Sequence, residues 1–196
     1  MKSYTAIILA RKGSVRIPGK NMVLLRGRPL VEWSILAATL CPYVENVIVS
    51  TDWDAVANVA LDHGCIVIKR PPELSGPDVD SYEPLKHAIY TIGMVENLVL
   101  LQPTSPTRNA VALSYFIAGV DSTNGACVSV NPGENFPNGA MYAASGSDIL
   151  QGFKWESPYS FRLLPGAYFT DVDYPEDLAI AEQEMIGQRG PLLSWE

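Results

Sequence analysis

The chain has 196 residues, 47% of them apolar, and a formal net charge of -7 at pH 7, which suits one globular domain with a sizeable core and argues against general nucleic-acid binding while leaving room for a local basic pocket. Cys41, Cys65 and Cys127 are scattered and lack the spacing of a zinc site or a disulfide framework. The N-terminal apolar run stops at Arg11 and Lys12, too early for a signal peptide or a membrane span, so a cytoplasmic protein without membrane or nucleic-acid partners is expected.

Thr5 to Leu9 reads as a buried first strand, and the stretch from Ala10 to Asn21 that follows carries four cations, Arg11, Lys12, Arg16 and Lys20. Gly13 and Gly19 permit close backbone approaches, and Pro18 stiffens the loop between them. Residues 1 to 31 hold seven of the fourteen Lys and Arg and no Asp or Glu. Two readings stay open at this point: a solvated basic loop, or a loop that wraps a polyanion. The P-loop pattern is a near miss, because Gly13 and Gly19 enclose five residues and Lys20 is followed by Asn21 rather than Ser or Thr. No G-x-G-x-x-G follows the first strand, so a dinucleotide fingerprint is absent.

The run Ala-Arg-Lys-Gly-Ser-Val-Arg-Ile-Pro-Gly-Lys-Asn resembles the signature loop of the cytidylyltransferases that activate acidic sugars, the CMP-N-acylneuraminate, CMP-pseudaminate and CMP-KDO synthetases. Leu9 departs from the family, which usually has Pro there. The resemblance implies that Arg11 and Lys20 hold the triphosphate of CTP, that Asn21 contacts the nucleotide, and that Gly13 and Ser14 belong to the same site, with Lys12 and Arg16 adding to its field.

Further along, Leu30 to Leu40 has helical apolar spacing and ends at Cys41-Pro42; Val47 to Val49 reads as a strand. Ser50-Thr51-Asp52 then offers an N-cap for a helix that Gly64 closes, and Cys65 to Ile68 is a third strand. This alternation predicts parallel pairing with right-handed crossovers, a three-layer doubly wound sheet with ligands outside the carboxyl ends of the strands. Arg70-Pro71-Pro72-Glu73-Leu74 resembles the family's Arg-Pro-x-Glu-Leu segment, which implies that Arg70 and the loop to Ser81 help read cytosine. Ser81 has a competing role as N-cap of a helix reaching Ile92, and both roles stay open.

Asn97 to Leu101 predicts a fourth strand. Gln102-Pro103-Thr104-Ser105-Pro106-Thr107-Arg108 resembles the family's Gln-Pro-Thr-Ser-Pro-x-Arg loop, which implies that Gln102 approaches the sugar; turn hydrogen bonds are the alternative use of Thr104 and Ser105. Asn109 is the expected cap of a helix from Ala110 to Ala118, and Ala126 to Val130 a fifth strand. Asn138-Gly139-Ala140-Met141-Tyr142 resembles another family strand, which brings Asn138 into the substrate set. Only Asn131 to Pro137 precedes it, an interval several times longer in the sialic acid enzymes, where it carries sugar contacts and a dimer arm. Any homodimer here must therefore use another surface, and Arg108 and Arg162 are left to meet an acceptor carboxylate.

The stretch from Ser145 to Pro165 has no periodicity and its structure is left open. A last strand is expected around Tyr168 to Val172, followed by an Asp-x-x-Glu cap, Asp173 to Glu176, and a helix from Tyr174 to about Gln188. Asp171 and Asp173, at i and i+2 of an extended segment, can face one hard cation; Asp173 alone has the competing role of N-cap. The whole pattern implies one Rossmann-like nucleotidyltransferase domain over 1–196, an enzyme that uses CTP and Mg2+, or Mn2+, to make a CMP-sugar from an acidic sugar and releases pyrophosphate. Arg11, Lys20 and Asp171 are its expected catalytic residues. The alternatives are a nucleotide-binding or regulatory module without transfer, and a nucleotidyltransferase with a non-sialic acceptor.

Overall fold

The computed structural model describes residues 2–93, 95–120, 126–131, 136–153, 160–163 and 169–187, the side chains of 160–163 and 187 excepted. Strand β1 (Tyr4–Leu9) is buried on both faces, as its unbroken apolar run requires: Ala6 and Ile8 enter one core cluster and Ile7 another on the opposite side. After β1 come a small hairpin, β2 (Leu24–Leu25) with β3 (Arg28–Pro29), then β4 (Val44–Thr51), β5 (Ile66–Lys69), β6 (Asn97–Leu101), β7 (Cys127–Val130), β8 (Met141–Ser145) and β9 (Ser160–Leu163). The main sheet has the order β5-β4-β1-β6-β8-β7-β9. Its first four strands are mutually parallel, with Ile7 opposite Ile48 on one side and Leu100 on the other. β8 runs antiparallel to both β6 and β7, and β9 parallel to β7.

Helices cover both faces, giving the expected three layers. On one face α1 (Leu30–Thr39), α2 (Asp54–Asp62) and α4 (Ala110–Val120) contribute Val31, Ile35, Val56, Ala60, Leu113 and Phe116 to the first cluster. On the other, α3 (Tyr82–Ile92) and α5 (Gly146–Leu150) contribute Leu85, Ile89 and Ile149 to the second. A third, smaller cluster joins Ile17 of the basic loop, Leu25, Leu30 and Trp33 to Val172 and to Ala181 and Met185 of α6 (Asp177–Gly187). Burying each of these large apolar side chains is worth about 2 kcal/mol, so the loop and the C-terminal segment are drawn to the same place. Among the described residues no helix is long and apolar enough to cross a membrane.

Several expectations hold: α1 and β6 lie where the pattern put them, α2 exits through Gly64 at φ +72, and Asn109 Oδ1 accepts the Ala112 N–H at 2.8 Å. Others need correction. Ser50 and Thr51 belong to β4 and Trp53 is the N-cap of α2, without a side-chain cap bond, because Asp52 is engaged elsewhere. Ser81 makes no cap bond to α3; Asp80 Oδ1 accepts the Tyr82 N–H instead, at 3.1 Å. Tyr168 is outside the described residues, and 169–173 are not a strand, since Val172 N donates to the loop carbonyl of Thr104 at 2.7 Å rather than to a ladder. The last helix begins at Asp177, not Tyr174, because the Asp177 carboxylate reaches back to accept the N–H groups of Asp173 and Tyr174. In the stretch left open, Ser145 caps α5 by accepting from Asp148 N at 3.0 Å, and β9 follows.

Replacing Asn109 by Ala removes the α4 cap and is expected to lower stability by about 1 kcal/mol in urea denaturation at unchanged m-value. An unchanged midpoint would mean that water caps the helix equally well.

Candidate active site

β1 and β6 are neighbours and both end at one sheet edge, where strand order reverses: from β1 the chain runs first to β4 on one side and later to β6 on the other. Crevices at such a reversal bind ligands. The basic loop leaves β1 here and the Gln102 loop leaves β6.

The end of β4 braces the basic loop. Ala10 N donates to Ser50 O at 3.0 Å, and Lys12 N to Asp52 Oδ1 at 2.7 Å. Gly19 sits in the left-handed region at φ +66, and a Cβ there would come within 3.3 Å of the Trp53 ring, so both its conformation and its contact disfavour larger residues. Buried Asn21 ties the two ends of the loop together, its Nδ2 donating to Arg11 O at 2.8 Å. Ile17, 7% exposed, anchors the middle in the third cluster.

Four cations so confined need partners, and two of them, Lys20 and Arg16, share one carboxylate. Arg11 Nη1 donates to the Gly76 carbonyl, and Lys12 Nζ lies 6.0 Å from the Trp53 ring. Lys20 Nζ donates to Val172 O at 2.8 Å and to Asp173 Oδ1 at 3.0 Å, while Arg16 Nη1 meets Asp173 Oδ2 at 2.6 Å and the Arg16 guanidinium lies 5.0 Å from the Tyr174 ring. Burial pulls the Asp173 carboxyl up, but the hydrogen bond and charge of Lys20, followed by those of Arg16, overcome it and hold the pKa below its ordinary value. Asp171 goes the other way: desolvation by the cleft walls raises it, Asp173 adds to the rise, and Thr104 and Lys20 oppose it.

Arg11, Gly13, Ser14, Arg16, Lys20, Asn21, Arg70, Ser81, Gln102, Asp171 and Asp173 all line one cleft of about 590 Å³. The structure thus brings together most of the residues singled out in the sequence. Arg70, 4% exposed, donates from Nη2 to Ser50 O at 2.8 Å and from Nε to Ser50 Oγ at 3.2 Å; burial lowers its pKa to about 10, Asp52 opposing and Arg11 reinforcing that shift. A second cavity of about 470 Å³ adjoins the first, sharing Gln102 and Asp171, and Asn138, Phe136, Thr170 and Glu184 are among its lining residues. Asn138 is largely engaged, accepting from Ser129 Oγ at 2.6 Å and donating to Asn131 Oδ1 at 2.9 Å. Beside it Gly139 adopts φ +80, and a Cβ there would make an ordinary contact with Asp171, 3.6 Å from Oδ2.

Two residues fall outside this arrangement. Lys12 is exposed and turned to Trp53 rather than lining the cleft. Arg108 is fully buried and lines neither cavity: Nη1 donates to Ala140 O at 2.7 Å and Gln102 O at 3.3 Å, and Nη2 to Ser34 Oγ at 2.6 Å. It pins the Gln102 loop to α1 and to the start of β8, and is too enclosed to meet an acceptor carboxylate. Burial lowers its pKa to about 9, which leaves it charged at neutral pH. Arg162 lies opposite Ser129 in the parallel register of β7 and β9; its side chain is outside the described residues. Sequence reasoning missed Asp52, Trp53, Tyr174 and Glu184. Asp52 and Tyr174 carried a signal only as helix starts, and Trp53 and Glu184 none, because their roles depend on contacts across the fold.

Magnesium takes oxygen ligands, and usually binds through one or two carboxylates together with substrate phosphates. Among the described residues no group of three His, Cys, Asp or Glu is gathered as a cage, and no cation pairs with Asp171, which lines both cavities. This donor set suits a hard divalent cation that draws part of its coordination from outside the protein, Asp171 being unpaired with any cation and Asp173 engaged by Lys20 and Arg16.

A family model described as cytidylyltransferase matches residues 5–113. The chain is 30% identical over 220 residues to N-acylneuraminate cytidylyltransferase A of Danio rerio, a match that covers 94% of this chain and 51% of that protein; the chain thus spans about half the length of this relative. It is 28% identical to the CMP-N,N'-diacetyllegionaminic acid synthase of Legionella pneumophila, over 92% of this chain and 95% of that protein. Among solved structures, a CMP:2-keto-3-deoxy-manno-octonic acid synthetase complexed with CTP superposes with a TM-score of 0.71 at 17% identity, covering 95% of this chain and 99% of that one. That likeness bears on the fold: a doubly wound, mostly parallel nucleotidyltransferase sheet.

The opposite shifts of the two aspartates are measurable. Asp173, depressed, supports the fold above the ordinary carboxylate range and loses that contribution as pH falls through its lowered pKa, whereas Asp171, raised, favours the folded state more as it protonates. A carboxyl-carbon NMR titration is expected to show Asp171 taking up its proton at higher pH than Asp173. The reverse order would remove the ion-paired arrangement from solution.

Proposed function

Because this chain belongs to the cytidylyltransferase family, we propose that it transfers a cytidylyl group from CTP to the anomeric hydroxyl of an acidic, 2-keto sugar, with residues 1–196 acting as one nucleotidyltransferase domain. The observation that carries this reading is the meeting of two cavities at Gln102 and Asp171: a cationic cleft suited to a triphosphate and a neutral-to-acidic cavity of a size suited to a sugar. In the reaction the hydroxyl oxygen gives up its proton to solvent and bonds to the α-phosphorus, the bond from that phosphorus to the bridging oxygen breaks, and pyrophosphate leaves with the electron pair.

The protein's task in such a displacement is alignment and charge neutralisation. Arg11 and Lys20 take the phosphates, with Arg16 beside them and Lys12 adding to the field; Gly13 and Ser14 let the backbone approach, and Asn21 meets the nucleotide. Arg70 and Ser81, which line the same cleft, suit the base, and Ser81 is free for this since Asp80 serves the helix start. Gln102 faces the acceptor, while Asn138 holds the wall it binds against. Mg2+, or Mn2+, held by Asp171 and Asp173 with phosphate oxygens, would polarise the α-phosphate and lower the cost of the developing charge. Buried, unpaired cysteines support a cytosolic setting, where CTP is available.

A different acceptor within the same reaction is favoured by one observation. The described lining of the second cavity contains Asp171 and Glu184 but no Lys or Arg, and only Asn131 to Pro137 separates β7 from Asn138, too few residues for the sugar-contacting arm of the sialic acid enzymes. Arg162, in register with Ser129, is the remaining candidate for an acceptor carboxylate.

A pyrophosphate-release assay with four nucleoside triphosphates against a panel of 2-keto sugar acids tests the reading. Release is expected with CTP and at least one acid other than ordinary sialic acid, and Lys20→Ala should lower it by about a hundredfold with the melting temperature little changed, the loss of one charge-assisted contact to the transferring group. CTP binding without release against any acceptor would make this a nucleotide-binding module.

A further inference from the structure

Asp173 is occupied before any ligand arrives. Its Oδ1 lies 3.0 Å from Lys20 Nζ and its Oδ2 2.6 Å from Arg16 Nη1. The chain fixes the carboxylate in that position, because Asp177 Oδ2 accepts the Asp173 N–H at 2.8 Å and the preceding residue, Val172, is fully buried in the third cluster. Lys20 is held there a second time through Val172 O, and Arg16 by the ring of Tyr174.

Two requirements collide at this point. Lys20 and Arg16 line the cleft and are cations that a triphosphate needs; Asp173 lines it as well and is a carboxylate that a divalent cation needs. Paired with each other, the three groups cancel, and neither ligand meets its full complement. A divalent cation arriving alone finds one open carboxylate, Asp171, and faces the repulsion of two nearby positive charges. A triphosphate that draws Lys20 and Arg16 to its own oxygens leaves Asp173 unpaired beside Asp171.

We propose that Asp173 is an internal counter-ion, exchanged on nucleotide binding from Lys20 and Arg16 to a divalent cation, so that the cation site is complete only after the triphosphate has taken those two side chains. This rests on the reading of the cleft as a triphosphate site. Coupling of this kind is reciprocal: whatever factor the nucleotide adds to cation affinity, the cation adds to nucleotide affinity. Asp173 is then a positioning residue for the empty loop and a ligand in the filled one, and its two roles exclude each other in time.

The test uses Mn2+ alone, without nucleotide, followed by the electron paramagnetic resonance signal of the free ion. The Arg16→Met/Lys20→Met double variant, which releases Asp173, is expected to bind Mn2+ about tenfold more tightly than the wild type. Adding Asp173→Asn to the double variant should abolish the gain. Lys12→Met removes a cation of the same loop that is turned towards Trp53, and should give little gain. If the double variant binds Mn2+ no better than the wild type, or if the gain survives Asp173→Asn, the proposal is overturned and any effect belongs to the general field at Asp171. Circular dichroism and thermal melting verify folding; should the double variant not fold, Arg16→Met alone, at a half-exposed side chain, must show a gain of the same sign. Because no nucleotide is present, this outcome is independent of the pyrophosphate-release assay, which by itself decides the choice of CTP.

Discussion

Four cations within twelve residues repel one another, and holding them at the edge of a sheet requires that something else in the chain come to meet them. The ion pairs of Asp173 with Lys20 and Arg16 are the part of that answer on which the site depends. They are delivered by hydrophobic packing rather than by attraction alone. Ile17, between the cations, and Val172, between the aspartates, enter the same apolar cluster with α1 and α6, so burial of ordinary aliphatic side chains fixes where the charges face each other. Ion pairs this accessible contribute little to stability by themselves. Their consequence is functional: the loop is held in shape when empty, with charges that a ligand can take over.

The rest of the cleft follows from strand order. β1 and β6 are neighbours whose following loops diverge, and β4, on the other side of β1, ends in the residues that brace the basic loop. Arg70 continues this arrangement from β5 by bonding Ser50, so the end of one strand supports both walls of the cleft. Beyond β6 the sheet turns antiparallel, and the junction of β7 and β8 with the C-terminal segment forms the second cavity. Asp171 lines both spaces, with Gly139 beside it.

What the sequence disclosed was what local pattern controls. Continuous apolar runs marked β1 and β6, helical spacing marked α1, and Asn109 stood where a cap was needed, each decided by a few neighbouring residues. The basic loop was legible because four cations stand within twelve residues with no carboxylate among them. What failed was decided by distant partners. Asp52 has the composition of an N-cap but answers the Lys12 N–H instead, forty residues away in sequence. Asp173 looked like the start of the last helix, yet the cap bond runs from Asp177 back towards it, leaving its own carboxylate for Lys20 and Arg16. Arg108 is a long cation in a loop, which suggests a ligand, but the loop folds over it and turns it into an internal strut between Ser34 and Ala140.

In the proposed reaction the reacting phosphorus lies where the two cavities meet. A crystal structure with a non-hydrolysable CTP analogue and Mn2+ tests it directly. The triphosphate is expected along Arg11 and Lys20, the α-phosphorus at the junction of Gln102 and Asp171, the metal on Asp171 and Asp173, and Arg16 and Lys20 turned from Asp173 to phosphate oxygens. Phosphates bound away from the basic loop, or an Asp173 still paired with both cations beneath a bound triphosphate, would contradict it.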